Sequence, residues 1–430
     1  MHAFRYQDGR LHCEDVDLAA IAEAHGTPTY VYSAGTILDH FRRLDAALQD
    51  LDHLICYAVK ANSNRAVLRL LAEHDAGFDI VSGGELYRVL AAGGAASRCT
   101  FAGVGKSPDE IEYALAEGVF SFNVESEAEL ETINRIAGSK GMRAPVALRV
   151  NPDVDAGTHK YVSTGTHENK FGIGMDTIER VYEAAARMPH IAIRGVQMHI
   201  GSQITDARPF AEAVRKITSL VVALKERYPI EFVSIGGGMG IIYKRALESG
   251  TGRWWHDHGG EESAFSVEAY ARAVLPPLRS LGVRVLLEPG RFLVGNAGVL
   301  LTRVRYVKQA AQKRFVIVDA GMNDLIRPAL YESYHEVVPV TEPTGSAREA
   351  VDVVGPVCES GDFFAQDREL PAIREGELVA LMSAGAYGFV MASNYNSRPF
   401  PAEVMVRGDA FGLVRERQTY ADLARGERDF

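Results

Sequence analysis

Long apolar runs are missing. Nothing in the 430 residues reaches the roughly 18 consecutive apolar side chains a spanning helix requires, and the opening MHAFRYQDGRLHCEDVD has neither a basic start nor an apolar h-region. The expectation is a chain that neither spans a membrane nor carries a secretory leader. Cysteine is scarce: Cys13, Cys56, Cys99 and Cys358 lie far apart and form no CxxC pair and no short secreted framework, so a reducing cytoplasm is the expected compartment. Positive charge is never concentrated. Lys and Arg number 46 against 56 Asp and Glu, a net charge of −10 with no basic block, and nucleic acid is not expected as a partner because phosphate contacts demand clustered cations. No low-complexity linker, GxSxG, HExxH or P-loop occurs. What is present is 47% apolar side chains, enough for a large core, and 41 glycines gathered at the ends of apolar runs, as turns around a ligand would require.

Short β-rich runs separated by helical periodicity recur eight times. They are HLICYAVKAN (53–62), GFDIVS (77–82), CTFAGVG (99–105), VFSFNVES (119–126), PVALRVNP (145–152), GVQMHIGS (195–202), EFVSIGGG (231–238) and RVLLEPGR (284–291). Their near-continuous apolar character is that of parallel strands covered on both faces. Ser82 with Glu85, Ser107 with Glu110 behind Pro108, and Ser126 with Glu129 each predict a capping box at a helix start. Eight units over this length predict an α/β fold, a (β/α)8 TIM-type barrel over 29–292, plus a mainly β C-terminal domain. RVRYVKQ, RFVIVDAG, EAVDVVGPVCESGD, ELVALMSAGAYG and AEVMVRGDAFGLV supply that domain's strands. FRYQDGRLHCE, with Asp8-Gly9 at a hairpin turn, joins it, so 1–28 and 293–430 form one discontinuous β domain.

A barrel's active site lies at the C-terminal ends of its strands, and there this sequence places Lys60, His199, Gly236-Gly237-Gly238, Glu288 and Arg291. A lone lysine in that position reads as a snorkelling surface group, but beside these neighbours it reads as a Schiff-base nucleophile at an apolar strand end. Three glycines could be merely a tight turn. After strand seven of a barrel they also suit the recurrent phosphate site, whereas GGGMG does not fit the GxGxxG spacing of a nicotinamide fold. Glu288 could be an ordinary paired carboxylate. Opposite a lysine-bound aldehyde it has a use, because a carboxylate against a pyridine nitrogen strengthens the electron sink that pyridoxal 5'-phosphate (PLP) chemistry needs. His256-Asp257-His258 lacks further ligands at metal-site spacing, and no metal is expected.

YAVKAN around Lys60, GFDIVSGGEL (77–86), HIGSQI (199–204), IGGGMG (235–240), EPGR (288–291), CESGD (358–362) and GAYG (385–388) together resemble the fold-type III PLP-dependent decarboxylases. AGTHKYVSTGTHENKFGIG (156–174), RPALYE (327–332) and NYNSRPFPAEVMV (394–406) extend the resemblance over nearly the whole chain, toward the branch acting on a substrate with an amino acid group at each end. The resemblance implies loss of carbon dioxide from the D centre of meso-2,6-diaminopimelate to give L-lysine, the closing step of lysine biosynthesis. It implies that Lys60 holds the PLP aldehyde, that Asp79 is among the cofactor contacts, that His199 stacks on the ring, and that Glu288 meets the pyridine nitrogen. Ser202, Gly237, Gly238 and Tyr387 would hold the phosphate. Arg291, which could also reach the phosphate, would bind the distal carboxylate with Arg327 and Tyr331, and Tyr387 also belongs to the substrate set. Cys358, the candidate proton donor, and Glu359, facing the distal amino group, would come from the partner subunit of a homodimer.

Rival readings are other basic amino acid decarboxylases of this fold (ornithine, arginine or lysine type), alanine racemases, and small PLP-binding barrel proteins without decarboxylase activity. RPALYE counts against the first, Glu288 against the second and the C-terminal β domain against the third. Two departures from the family stand out: a long stretch from Ala246 to Phe265 containing Trp254-Trp255, and Met198 where the family often has cysteine.

Overall fold

The structure, a computed structural model, describes residues 2–155, 170–251, 265–345 and 347–430. Residues 156–169 of the AGTHKY motif and 252–264 of the long stretch, with Trp254, Trp255 and His256-Asp257-His258, lie outside the described residues. Two compact units result. One comprises His40–Ile241 and Gly259–Phe292, the other Met1–Asp39, Ile242–His258 and Leu293–Phe430. No helix among the described residues is long and apolar enough to cross a membrane.

The first unit is a closed parallel barrel. Its eight strands are His53–Ala58, Gly77–Ile80, Cys99–Phe101, Ser121–Val124, Ala144–Asn151, Ile191–Met198, Phe232–Ser234 and Arg284–Leu287, each paired with the next, and the eighth returns to the first with Val285 opposite His53. These are the eight runs expected. Leu54, Cys56, Ala147, Phe232 and Leu286 cluster in the core, and Gly195 has no side chain because a Cβ there would stand 2.5 Å from the Phe232 ring. Amphipathic helices follow the strands, such as Arg65–Ala72 burying Val67, Leu68, Leu70 and Leu71. Of the three predicted capping boxes one is complete: Ser107 Oγ accepts the Glu110 N–H and the Glu110 carboxylate accepts the Ser107 N–H, with Pro108 opening the helix. Ser82 and Ser126 keep only the first half. They are fully extended (φ −157° in both, against −74° at Ser107), so Glu85 and Glu129 reach the amides one residue earlier, Val81 and Glu125.

The second unit is mainly β. Gly298–Gln309 is its central strand, pairing with Thr29–Ser33, Arg314–Val318 and Leu378–Leu381, while Thr29–Ser33 also pairs with Ala402–Arg407. Tyr30, Tyr32, Leu300, Val316, Val353 and Phe364 are among its core residues. The hairpin around Asp8-Gly9 forms as expected, with Gln7 opposite Arg10 and both turn residues at positive φ (49° and 72°). The boundaries differ from the expected 29–292 in two places: residues 29–33, assigned to the barrel, are a strand of this sheet, hydrogen-bonded to neighbours from beyond residue 297, and Ile242–His258 also fall in this unit. A five-residue apolar run ahead of a helix reads alike in either setting, and only its pairing partners decide.

Candidate active site

In the barrel unit Lys60, Asp79, His199, Ser202, Gly236–Gly238, Glu288 and Arg291 stand at or just after the C-terminal ends of the strands. Lys60 sits in a short 3-10 turn, Val59–Ala61, after the first strand. Its Nζ donates to Asp79 Oδ2 at 2.7 Å. Asp79 is buried at the end of the second strand, while the Lys60 side chain is 40% exposed. The lysine is thus ion-paired rather than set alone in an apolar collar. The other Asp79 oxygen, Oδ1, is buried without a hydrogen-bond partner in the structure.

Glu288 is the buried charge of the site. Its Oε1 accepts Ser234 Oγ–H at 2.7 Å and Asn123 Nδ2–H at 3.2 Å, and its Oε2 accepts Gln197 Nε2–H at 2.9 Å. All three donors are neutral, and no cation stands within ion-pair distance of Glu288 among the described residues. Burial, with the Asp79 charge adding to it, pushes the carboxyl up to about 7. Its surroundings therefore fit a cationic N–H that the polypeptide itself does not supply.

His199 follows the sixth strand, and its Nδ1 accepts the Gly237 N–H at 3.2 Å, which leaves the ring proton on Nε2. Burial first, then the positive charges of Arg149 and Lys60, hold the imidazole well below its ordinary pKa, so it is neutral. The glycines after strand seven are packed against backbone. A Cβ at Gly237 would stand 2.1 Å from the Glu288 carbonyl oxygen and one at Gly238 2.5 Å from that of Gly201, and Gly238 has φ +107°. Arg291, buried, donates from Nη2 to Ser202 Oγ at 3.2 Å. A cradle of bare backbone, a hydroxyl and a guanidinium is the donor set a phosphate monoester needs.

The β-rich unit assembles a second group. Arg327 is buried, its Nη2 donates to Tyr243 Oη and Ser333 Oγ, both at 3.2 Å, and its Nε donates to His335 Nε2 at 3.4 Å. His335 Nδ1 donates to the Met382 carbonyl at 2.8 Å, which leaves Nε2 as the acceptor. The rings of Tyr243 and Tyr331 lie 5.4 and 5.8 Å from the guanidinium carbon. Tyr387 has φ +56° in a loop where neither flanking glycine can carry a Cβ, since one at Gly385 would lie 1.9 Å from the Val294 carbonyl and one at Gly388 2.5 Å from that of Ala384. Cys358 and Glu359 join neither group. Both are exposed on a turn that Asp362 pins by accepting the Met322 and Val357 N–H groups, each at 2.6 Å.

Sequence reasoning overlooked Asn123, Gln197 and Ser234 around Glu288, and Tyr243, Ser333 and His335 around Arg327. The first three had a signal, a single polar residue inside each of the apolar strands FNV, GVQM and FVS. Ser333 and His335 had only their nearness to RPALYE, and Tyr243, 84 residues from Arg327, had no signal at all.

A pyridoxal-type site in a parallel barrel is what this geometry defines. The chain belongs to the pyridoxal-dependent decarboxylases: the family described as "Pyridoxal-dependent decarboxylase, pyridoxal binding domain" matches residues 34–295. Within that family its relatives are diaminopimelate decarboxylases, among them the enzyme of Pseudomonas fluorescens, 49% identical over 99% of each chain. Solved structures agree. Diaminopimelate decarboxylase of Helicobacter pylori complexed with L-lysine is 40% identical with a TM-score of 0.88, covering 95% of this chain and 98% of that one. That of M. jannaschii, in co-complex with L-lysine, is 36% identical with a TM-score of 0.91, covering 100% and 99%. The chain is therefore an enzyme of the decarboxylase type, and its cofactor is PLP.

Proposed function

We propose that this enzyme removes carbon dioxide from the D centre of meso-2,6-diaminopimelate and releases L-lysine. The observation that carries the substrate reading is Arg327. A buried guanidinium held from three sides and flanked by two tyrosine rings is a preformed fork for a carboxylate, which an ornithine-type substrate does not carry at its distal end. The names of the relatives, and the L-lysine bound in two of the solved structures, support the same reading.

PLP, when bound, supplies an aldehyde to hold the substrate amine and a ring that takes up the electrons left by carbon dioxide. The residues of the chain do the rest. Lys60 would hold the cofactor, and Asp79 sets where its amine stands. Glu288 keeps a proton on the ring nitrogen, with Ser234, Asn123 and Gln197 fixing the carboxylate. His199, neutral and oriented by the Gly237 amide, would present an uncharged imidazole to the cofactor ring. Gly237, Gly238 and Ser202, with Arg291 donating to Ser202 Oγ, would hold the phosphate, and Tyr387 is assigned to it as well. Arg291, Arg327, Tyr331 and Tyr387 are assigned to the retained end of the substrate. We assign Cys358 and Glu359 to the active site of a partner subunit in a homodimer, Cys358 as proton donor and Glu359 on the distal ammonium. Their exposure on a pinned turn in the single chain supports that role. All four cysteines are free thiols, which supports a cytoplasmic location.

The test is carbon dioxide release and product identity with PLP-loaded enzyme, offered meso-diaminopimelate, L-ornithine, L-arginine, L-lysine and D-alanine in parallel. L-Lysine from meso-diaminopimelate alone is expected. Release from ornithine or arginine in its place would overturn the substrate assignment while keeping the fold and cofactor.

A further inference from the structure

The β-rich unit holds a cavity of about 330 Å³ formed by none of the residues assigned above. Pro28, Pro356 and Pro399 give it stiff walls, and three arginines, Arg305, Arg398 and Arg417, line it beside one carboxylate, Asp319. Asp319 is already fully engaged. Its Oδ1 accepts Thr302 Oγ1–H at 2.7 Å and the Arg303 N–H at 3.0 Å, and its Oδ2 accepts Thr27 Oγ1–H at 2.7 Å and Arg305 at 3.0 Å. That carboxylate balances Arg305.

Arg398 and Arg417 have no such partner. Both are half-buried, and among the described residues no carboxylate lies within ion-pair distance of either. Their donors go to neutral oxygens: Arg398 Nη2 to the Asp319 carbonyl at 2.5 Å, and Arg417 Nη2 to the Pro28 carbonyl at 2.7 Å, Thr29 Oγ1 at 3.1 Å and the His25 carbonyl at 3.2 Å. Arg398 Nε is buried with no hydrogen-bond partner among the described residues. Asp319, Asp324 and Asp362 act on these cations only at longer range, and other donors already occupy the oxygens of the last two: the Gly321 N–H and Asn323 Nδ2–H on Asp324, the Met322 and Val357 N–H groups on Asp362. Two half-buried guanidinium groups facing one cavity, neither ion-paired to a carboxylate among the described residues, are incompletely compensated, and an oxyanion in the cavity offsets that by charge-assisted hydrogen bonds.

We propose that this cavity is a second ligand site, which takes a small doubly charged oxyanion on Arg398 and Arg417, with the exposed Tyr420 at its rim. A phosphate monoester and a dicarboxylate share that chemistry. The test is calorimetric titration of the PLP-loaded enzyme, whose cofactor phosphate fills the barrel cradle, with inorganic phosphate and separately with succinate at constant ionic strength, chloride serving as the control anion. Saturable binding of one ion per chain is expected, and the tighter arm names the source. Arg398→Gln should weaken it by roughly tenfold or more. Tyr420→Glu, a change at an exposed position that leaves the core untouched, should also weaken it by placing a negative charge at the mouth. No saturable binding above chloride, or wild-type affinity in both variants, would overturn the proposal. Loss of binding in Arg327→Gln with retention in Arg398→Gln would equally overturn it, by moving the anion to the substrate arginine.

Discussion

Glu288 shows how one side chain's surroundings state its task. A carboxylate with three neutral donors, lifted to about 7 by burial, is poorly stabilised until a cation arrives. Glu288→Gln should therefore leave the fold and KM nearly unchanged and lower kcat by roughly 100-fold or more, about 2.7 kcal/mol of barrier, in steady-state assays with meso-diaminopimelate. A rate within threefold of wild type would dismiss the ring-nitrogen role. Asp324 makes a pH prediction. Burial pushes its carboxyl up to about 7, above the usual unfolded value near 3.9, so folding favours the protonated form. That stabilisation is complete below the unfolded value and is lost as pH rises through about 7, on the order of 4 kcal/mol at most. Asp324→Asn should flatten the pH dependence of the urea midpoint between pH 4 and 8 and raise it at pH 8. The Asn323 amide, whose Oδ1 has no hydrogen-bond partner, can turn to receive the new donor.

The loop after the seventh strand carries its chemistry through what it omits. Gly237 lies against the Glu288 carbonyl, so its amide can face His199 only while no side chain intervenes. Gly237→Ala should cost more than about 2 kcal/mol in urea unfolding and release the cofactor, read as loss of the visible absorbance of the purified enzyme. Gly105→Ala, where nothing lies within 4 Å of the added Cβ, should leave both unchanged and serves as the control. Elements of this kind were well marked in the sequence. Strand ends, helix caps and the glycine loop are local, each decided by a few neighbouring residues. The Asn123, Gln197 and Ser234 ring was only half marked, since a polar residue in an apolar strand announces an inward polar contact but not its partner. Glu288 is 165 residues from Asn123 and 91 from Gln197.

At the scale of the whole molecule the proposed homodimer, with Cys358 and Glu359 in the partner's site, makes a prediction. Mixing Lys60→Ala and Glu359→Ala subunits in equal amounts should regain about a quarter of wild-type activity, because random pairing makes half the dimers mixed and each of those holds one intact site. Either variant alone should be nearly inactive. Activity that stays at the level of the separate variants after subunit exchange would show that each chain works by itself.

The sequence alone determined the eight-strand barrel, the hairpin at Asp8-Gly9, the lysine, histidine, glycine loop and glutamate at the strand ends, and through them the cofactor and the family. Those features are local or periodic, and a parallel barrel carries every strand end to one face whatever its exact packing. Only the tertiary structure decided that Thr29–Ser33 leaves the barrel for the other sheet, that Lys60 is paired with Asp79, that Glu288 has three neutral donors and, among the described residues, no cation, and that Arg398 and Arg417 share a cavity with no described carboxylate ion-paired to either. Each of these depends on which distant residue fills the space beside a group, and hydrogen bonds and desolvation are set by that neighbour rather than by the residue's own place in the chain.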